Sequence, residues 1–227
     1  MSAKICLPII KQSIPEVVEI IEQQKNNFDM FEIWIDYVKE NEEMIQNMLQ
    51  DLSNKFAKKI IVVFRRQNAE LITMPFEKRK LIIEKLAEKN IFLDLDIEQQ
   101  IKDLEFAKEK KAKVIASFHD YKKTPRTSAL VEIIKKMEMF QPAIFKIATF
   151  CETEKDALHL LHLLLDLKEE KKDVIVLGMG EKGIITRIFG SIWGNEITFA
   201  PVSGNEQSAP GQLTKEQLEK IFSMINK

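Results

Sequence analysis

Residues 113–150, KVIASFHDYKKTPRTSALVEIIKKMEMFQPAIFKIATF, contain two short apolar runs separated by an amphipathic segment. The runs at 113–119 and 144–150 are rich in β-branched and aromatic residues, a composition typical of buried strands. Between them, residues 129–139 carry apolar side chains at spacings of three and four, which predicts a helix. Successive strands connected by a helix run parallel. The stretch therefore predicts a strand–helix–strand unit.

The same unit recurs along the chain. Apolar runs predict eight strands, at residues 4–9, 31–37, 59–65, 91–97, 113–119, 144–150, 173–177 and 197–202. Helical spacing is found at residues 16–24, 45–52, 76–86, 104–110, 129–139 and 157–167. Eight parallel strands hide both sheet edges by closing on themselves, which favours a barrel over an open doubly wound sheet. We predict an α/β fold, a (β/α)8 TIM barrel, as a single domain over residues 1–227.

Composition bounds the class of protein. The 227 residues suffice for one barrel of about 250 residues, and 45% hydrophobic with 30% charged residues is typical of a globular protein. The 34 basic and 35 acidic residues nearly cancel, so no net field attracts nucleic acid or an anionic membrane. The apolar stretch at 5–10 is too short to span a membrane and lacks a cleavage-site pattern. Cys6 and Cys151 form neither a disulfide framework nor a zinc ligand set. We expect a cytoplasmic protein that acts on a small molecule.

Lys146 is the most unusual residue in the predicted strands, because the residues around it are apolar. Burial disfavours the charged ammonium, so we expect its pKa to fall from about 10.4 toward neutrality. The free amine is a nucleophile for carbonyl groups, which indicates Schiff-base chemistry. The alternative is a side chain that points outward between helices or reaches the rim.

A second polar segment, Ser117-Phe118-His119-Asp120, ends the fifth predicted strand. Active sites of such barrels lie at the carboxyl ends of the strands. With an ordinary pKa of about 6.5, His119 could transfer protons near an adduct on a lysine. A histidine that is simply packed or hydrogen-bonded is the alternative.

Charged residues also occur in the second and third predicted strands. Glu32, Trp34 and Asp36 share one face by the two-residue period of a strand. Buried carboxylates there need a cationic partner or a polyhydroxylated substrate, and both interpretations stay open. Arg65 ends the third strand, where a guanidinium suits an anionic or hydroxylated ligand.

All seven glycines lie between Gly178 and Gly211, which indicates either a ligand cradle or loops rich in turns. Gly178, Gly180 and Gly183 also fit the dinucleotide-binding fingerprint. That fingerprint requires an acidic residue at the end of the next strand, and the run at 197–202 has none. His159 and His162 could share a helix face, but no third metal ligand is evident, so we expect no metal site.

Five segments follow one another in the order found in a known family. His119-Asp120-Tyr121-Lys122-Lys123-Thr124-Pro125 is similar to its His-Asp-Phe-x-x-Thr-Pro motif, and Phe145-Lys146-Ile147-Ala148 to its Lys-Ile-Ala segment. Residues 178–187 resemble its Met-Gly-x-x-Gly-x-x-Ser-Arg stretch. Phe189-Gly190-Ser191 and Ser208-Ala209-Pro210-Gly211-Gln212 complete the set. Over nearly its whole length, the chain thus resembles the type I 3-dehydroquinate dehydratases of the shikimate pathway.

The resemblance implies a mechanism and a set of site residues. Lys146 would form an imine with the ketone of 3-dehydroquinate, and His119 would be the acid/base residue of a syn elimination that gives 3-dehydroshikimate. Arg187 would pair with the substrate carboxylate. The remaining substrate-binding residues would be Glu32 and Arg65, which hold ring hydroxyls, and Ser208 and Gln212, which close over the site. The resemblance also implies a homodimer and no metal or organic cofactor.

Two positions depart from the family pattern. The family has Glu-x-Arg-x-Asp in the second strand, and here the middle position is Trp34. The family also has Arg-x-x-x-Glu-Gly-Gly after the third strand, and here Ala69 takes the place of the glutamate that orients the catalytic histidine, with Glu70 next to it. We expect weaker substrate binding or an altered rate, with Glu70 as a possible partner of His119.

Two further alternatives remain. A barrel of the same family whose altered site has weak or no activity could act as a binding module. A lysine-dependent aldolase would share the barrel and the imine, but it would lack the Ser-Ala-Pro-Gly-Gln loop at residues 208–212.

Overall fold

The computed structural model describes residues 3–56, 59–64, 72–89 and 91–225. These residues form eight strands that alternate with eight α-helices. The strands are β1 Lys4–Ile9, β2 Met30–Trp34, β3 Ile60–Val63, β4 Phe92–Asp96, β5 Lys113–Asp120, β6 Ile144–Phe150, β7 Val174–Met179 and β8 Ile197–Phe199. The helices are α1 Ile14–Gln24, α2 Glu42–Lys55, α3 Phe76–Ala87, α4 Ile101–Glu109, α5 Thr127–Glu138, α6 Glu154–Glu169, α7 Ile184–Trp193 and α8 Lys215–Ile225.

The strands form one eight-stranded sheet in the order β7-β6-β5-β4-β3-β2-β1-β8, and the strand pairs with assigned register are parallel. The backbone N–H of Glu196, just before β8, donates to the carbonyl of Val174 on β7 at 2.9 Å. This bond joins the strands at the two ends of the order. The predicted (β/α)8 barrel is therefore confirmed.

The chain divides into two compact units. The first comprises the described residues of Met1–Leu7, Phe118–Lys135 and Ile144–Lys227, and the second comprises those of Pro8–Ser117 and Lys136–Ala143. The prediction of a single domain over residues 1–227 stays a prediction.

The first unit is built on β6, β7 and β8. Helix α6 begins with a capping box, in which Thr153 accepts the backbone N–H of Asp156 and Asp156 accepts that of Thr153. The helix then buries a stripe of leucines and one alanine, namely Ala157, Leu160, Leu161, Leu163, Leu164 and Leu167. Asn195 pairs with β7 through both side-chain atoms, donating to the carbonyl of Val176 at 3.0 Å and accepting its N–H at 2.7 Å.

The second unit contains β2, β3, β4 and most of β5. A buried ion pair connects α3 to α4, because Arg79 donates from Nε to Oδ1 of Asp103 at 2.6 Å and from Nη2 to Oδ2 at 2.8 Å. The two parallel hydrogen bonds hold the Arg79 guanidinium in one orientation and also pair its charge with that of the carboxylate.

Two predicted strands, at 31–37 and 197–202, extend three residues past the ends of the observed β2 and β8. Strand β2 ends at Trp34, because the carbonyl of Ile35 accepts the N–H of Val38 at 3.2 Å and closes a 3-10 turn over Ile35–Tyr37. The prediction that Asp36 shares a strand face with Glu32 is therefore wrong. Strand β8 ends at Phe199 rather than at 202, since Ala200 makes the last bond to β1 and the following Pro201 has no N–H to donate.

Lysines occupy helix ends where glycine is the usual residue. Lys111 and Lys171 have φ of 58° and 59°, in the left-handed region. The next residues, Ala112 and Lys172, donate to Ala107 and Leu167, which completes a Schellman motif after α4 and after α6. A side chain in this conformation costs about 1–2 kcal/mol. The absence of glycine from the first 177 residues therefore leaves strain at these ends.

Replacing Lys111 or Lys171 by glycine should stabilise the protein, because glycine adopts positive φ without a steric cost. We expect each variant to gain about 0.5–1 kcal/mol in the free energy of unfolding, after subtracting glycine's larger loss of entropy. Chemical denaturation measures the change. Lys135→Gly, in the interior of α5, is the control and should lose about 1 kcal/mol. A loss of stability in both Lys111→Gly and Lys171→Gly would contradict the assignment of strain.

Candidate active site

Lys146 lies inside the first unit, near the middle of β6. It is 6% exposed, and it is in register with Ile175 of β7. Its Nζ lies 4.4 Å from the centroid of the Phe199 ring on β8. Since β7 separates β6 from β8, the two side chains must share a sheet face, and side chains from alternate strands meet on the inner face of a barrel. The alternative of a side chain that points outward between helices or reaches the rim is therefore wrong.

The ring of Phe199 was not among the predicted site residues. Its face offers the ammonium an electrostatic contact that replaces part of the lost hydration. The sequence could have predicted this contact. Phe199 lies in the eighth predicted strand, and even-numbered strands of a barrel contribute side chains to the same interior layer as the sixth strand, which carries Lys146.

His119 lies at the carboxyl end of β5 and is partly buried. Its ring is nearly parallel to that of Tyr121, at an interplanar angle of 12° and a centroid distance of 6.1 Å. Immediately after it, Asp120 accepts the backbone N–H groups of Lys122 at 2.8 Å and Lys123 at 3.1 Å, which forms the turn. The histidine is thus held between a regular strand and a fixed turn.

Thr124 fastens this turn to the end of β6. Its hydroxyl donates to the carbonyl of Phe150 at 2.9 Å and shares a hydrogen bond of 2.9 Å with the hydroxyl of Thr149. The threonine of the His-Asp-x-x-x-Thr-Pro segment therefore joins the carboxyl ends of the two strands that carry His119 and Lys146. The sequence motif contained this residue without indicating its role.

Arg187 is a second buried cation of the first unit. It lies on α7 and is 2% exposed, and burial lowers its pKa to about 10, against an opposing electrostatic effect of Cys151. Its Nε and Nη1 are buried and have no hydrogen-bond partner among the residues that the structure describes. A buried guanidinium with unused donors is suited to an anion such as a carboxylate.

The first turn of α7 fixes the position of this arginine. Thr186 accepts the backbone N–H of Gly178 at 2.7 Å and donates its hydroxyl to the carbonyl of Gly183 at 2.7 Å. Ser191 donates to the carbonyl of Arg187 one turn later, at 2.5 Å. The helix that carries the guanidinium is therefore bound to the end of β7.

The structure brings Ser208 and Gln212 together in the loop after β8. Gln212 is 4% exposed; its Oε1 accepts the N–H of Ser208 at 2.8 Å, and its Nε2 donates to the Ser208 hydroxyl at 2.9 Å. Gln207 donates to the carbonyl of Gln212 at 2.7 Å. We call residues 208–212 the closing loop.

In the second unit, Glu32 is buried on β2 and accepts a hydrogen bond from Nε1 of Trp34 at 2.8 Å. The indole thus donates to the carboxylate from the position where the family has an arginine. It supplies a donor without a positive charge. The predicted site residues Arg65 and Glu70, together with Ala69, lie outside the described residues.

Strand β4 carries two buried carboxylates that the sequence analysis did not single out. Asp96 accepts the N–H groups of Glu98 at 2.9 Å and Gln99 at 3.0 Å, so it shapes the turn into α4. Asp94, 3% exposed, lies in the middle of the strand. The alternation Leu93-Asp94-Leu95-Asp96 was the available signal, because it places both carboxylates on one strand face.

The dinucleotide fingerprint at Gly178, Gly180 and Gly183 has a different structural use. An ideal Cβ on Gly183 would lie 2.4 Å from the carbonyl carbon of Gly178, so these glycines pack against each other. The N–H of Gly180 donates to the carbonyl of Pro210 at 3.1 Å. That amide therefore does not point at an open phosphate site.

Within the described part of the chain, no three His, Cys, Asp or Glu side chains are arranged as a metal-binding group. Within the same ranges, no helix has the length and apolar character needed to cross a membrane.

Comparison with known proteins gives a consistent result. A family model described as type I 3-dehydroquinase matches residues 5–227. The chain is 33% identical to the 3-dehydroquinate dehydratase of Methanocaldococcus jannaschii over 230 residues, covering 98% of this chain and 99% of that protein. It is 30% identical to the protein of the same name from Coxiella burnetii over 227 residues, covering 99% of this chain and 94% of that protein.

Solved structures are similar in fold. The 3-dehydroquinate dehydratase of Geobacillus kaustophilus matches with a TM-score of 0.85 at 23% identity, over 100% of this chain and 92% of that one. The type I enzyme of Clostridium difficile, with covalently modified comenic acid, matches with a TM-score of 0.83 at 24% identity, over 99% of this chain and 92% of that one.

Replacing Arg187 by methionine should stabilise the ligand-free protein. The guanidinium is charged in the folded and unfolded states at neutral pH, so its burial penalty is complete below the folded pKa of about 10 and fades as the pH rises from there toward the ordinary pKa of an exposed arginine. Methionine fills a similar volume without this penalty, and we expect a gain of about 1–3 kcal/mol in the free energy of unfolding. Thermal denaturation from about pH 6 to about pH 9 measures it.

Arg187→Lys retains a buried cation, so it is the matched control and should gain no stability. If Arg187→Met instead melts below the wild type at every pH, Arg187 is not a buried cation that awaits an anion.

Proposed function

The chain belongs to the type I 3-dehydroquinase family, a family of hydro-lyases, and we propose that it dehydrates 3-dehydroquinate to 3-dehydroshikimate through an imine on Lys146. The observation that supports the imine most is the burial of this lysine, which is 6% exposed on the inner face of β6. A primary amine excluded from water loses part of the hydration that stabilises its charged form. The unprotonated amine is the form that attacks a ketone.

The first step forms the covalent intermediate. The lone pair of Lys146 Nζ adds to the ketone carbon, and the resulting carbinolamine loses its hydroxyl as water. A carbon–nitrogen double bond with a positive charge results. This iminium withdraws electrons from the adjacent carbon and acidifies its C–H bond.

In the second step, His119 removes that proton as a general base. The electrons of the C–H bond form a carbon–carbon double bond, and the hydroxyl on the next carbon departs after receiving a proton from the same histidine. One residue that serves both transfers requires the proton and the hydroxyl to leave from the same face. Hydrolysis of the iminium then consumes one water and restores the amine, so the cycle releases one water in total.

The other site residues hold the substrate in our proposal. The unused Nε and Nη1 donors of Arg187 suit the carboxylate. Ser208 and Gln212 cover the bound ring and exclude water, as the closing loop of the family does. Glu32 and Arg65 bind ring hydroxyls by the same family resemblance.

The departures at Trp34 and Ala69 affect binding and rate rather than the class of reaction. Trp34 keeps a donor on Glu32 at 2.8 Å but supplies no positive charge, so one favourable interaction with an anionic substrate is lost. Glu70, next to the position of the missing glutamate in the sequence, is our candidate for the partner of His119. The lysine, the histidine and the carboxylate-binding arginine are all present.

The cellular setting follows from the proposed reaction. We propose a cytoplasmic homodimer that supplies the shikimate pathway to chorismate and aromatic amino acids, and that requires neither a metal nor an organic cofactor. The family resemblance and the two isolated cysteines, which suit a reducing compartment, support this setting.

Turnover of 3-dehydroquinate tests the function. We expect the purified protein to produce the ultraviolet absorbance of a conjugated double bond, and we expect Lys146→Met to lower kcat by at least about a thousandfold because the covalent route is lost. Lys113→Met, at the exposed start of β5, is the matched control and should leave kcat unchanged. Wild-type turnover equal to the buffer background would instead support the binding-module alternative.

A further inference from the structure

The turn between β7 and α7 is packed too closely for side chains. We call residues 178–183 the glycine turn. Gly180 has a φ of 79°, and an ideal Cβ there would lie 2.8 Å from the Phe150 ring. An ideal Cβ on Gly178 would lie 2.7 Å from the Cys151 sulfur. Contacts under 3.0 Å do not occur for real Cβ atoms, so the turn lies directly on the end of β6.

The closing loop rests on this same turn. The N–H of Gly180 donates to the carbonyl of Pro210 at 3.1 Å. Gly211, with a φ of 79°, comes so close that an ideal Cβ would lie 2.5 Å from the carbonyl oxygen of Gly180 and 3.0 Å from its carbonyl carbon. Neither the space nor the backbone conformation accommodates another residue at 211.

The closing loop is also held in shape by its own hydrogen bonds. Both polar atoms of the Gln212 side chain bind Ser208, and the Ala209 N–H lies 3.4 Å from the same Oε1. These bonds fix the conformation of the loop between Ser208 and Gln212.

The glycine turn serves a second purpose, because it also carries Arg187. The N–H of Gly178 and the carbonyl of Gly183 both bind the Thr186 hydroxyl, and Arg187 is the next residue. One short segment thus determines the position of the closing loop and of the helix turn that presents the guanidinium.

We propose that Gly180 and Gly211 are positioning residues, whose backbone contact holds the closing loop over the site in register with Arg187. The contact itself does not depend on the proposed function, but the expected effect on KM does. A backbone contact that favours this position of the loop reduces the binding energy that is spent on ordering the loop over the substrate, which lowers KM. A residue with a side chain at 211 lifts the loop off the turn.

Gly211→Ala tests the contact. We expect KM for 3-dehydroquinate to rise about tenfold while kcat changes by less than about threefold, since the loop binds the substrate but does not transfer protons. Gly204→Ala is the matched control. It lies just before the closing loop, in the 3-10 turn Gly204–Glu206, and within the described residues no heavy atom lies within 4 Å of its ideal Cβ. Its KM should stay within about twofold of the wild type.

Gly211→Asn distinguishes the steric contact of a Cβ with Gly180 from the cost of a positive φ at residue 211. Asparagine tolerates positive φ better than alanine but carries the same Cβ. If contact is decisive, both variants raise KM equally. A wild-type KM in Gly211→Asn, or in Gly211→Ala, would overturn the proposal.

Hydrogen–deuterium exchange gives a readout that does not depend on activity or on a variant that folds. In ligand-free wild type and in Gly204→Ala, the amide of Gly180 should be protected, and in Gly211→Ala it should exchange at least about tenfold faster while the thermal midpoint changes little. An unprotected Gly180 amide in the wild type would overturn the proposal. Protection without any turnover would instead refute the proposed function and leave the contact intact.

Discussion

The burial of the Lys146 ammonium against Phe199 is the interaction on which the rest of the site depends. A cation on the inner face of a strand costs free energy unless it is neutralised, paired or placed against a polarisable surface. A closed sheet creates that situation, because side chains of alternate strands are brought together in its interior. The same burial that makes the ammonium costly favours the unprotonated amine, which is the form that attacks carbonyl groups.

Arg187 extends this reasoning to the substrate. A second buried cation in the same unit, with Nε and Nη1 unused among the described residues, makes the ligand-free protein less stable than an apolar packing would. An anionic keto acid is the kind of substrate that suits both buried groups. In our proposal its carboxylate pairs with the Arg187 guanidinium and its ketone reacts with the Lys146 amine. The glycine turn then adds a geometric condition, since it fixes Arg187 and supports the closing loop at once. In our proposal, binding and chemistry thus depend on a small set of backbone contacts at the ends of β6 and β7.

Much of the fold could be predicted from the sequence, because hydrophobic runs and their spacing report directly on strands and helices. The runs at 4–9 and 144–150 match β1 and β6 at both ends. Errors arose where local hydrogen bonding overrides the pattern. The 3-10 turn at Ile35–Tyr37 continues the composition of a strand, and β8 ends at Phe199 because Pro201 has no N–H to continue the hydrogen bonding to β1.

The site was only partly predictable for a different reason. Lys146 stood out because a charge interrupts an apolar run, and Arg187, Ser208 and Gln212 came from family resemblance. The roles of Phe199, Thr124 and Gly211 depend on which distant backbone or ring each one meets. A sequence shows that all seven glycines lie late in the chain, but it does not show that Gly211 contacts Gly180.

Borohydride trapping tests the central claim most directly. The protein is incubated with 3-dehydroquinate and reductant, digested, and its peptides are weighed by mass spectrometry. We predict that the peptide containing Lys146 alone gains the mass of the reduced adduct, because reduction converts the iminium into a stable amine. If that peptide keeps its mass while the protein still turns over substrate, the reaction does not pass through Lys146 and the account is contradicted.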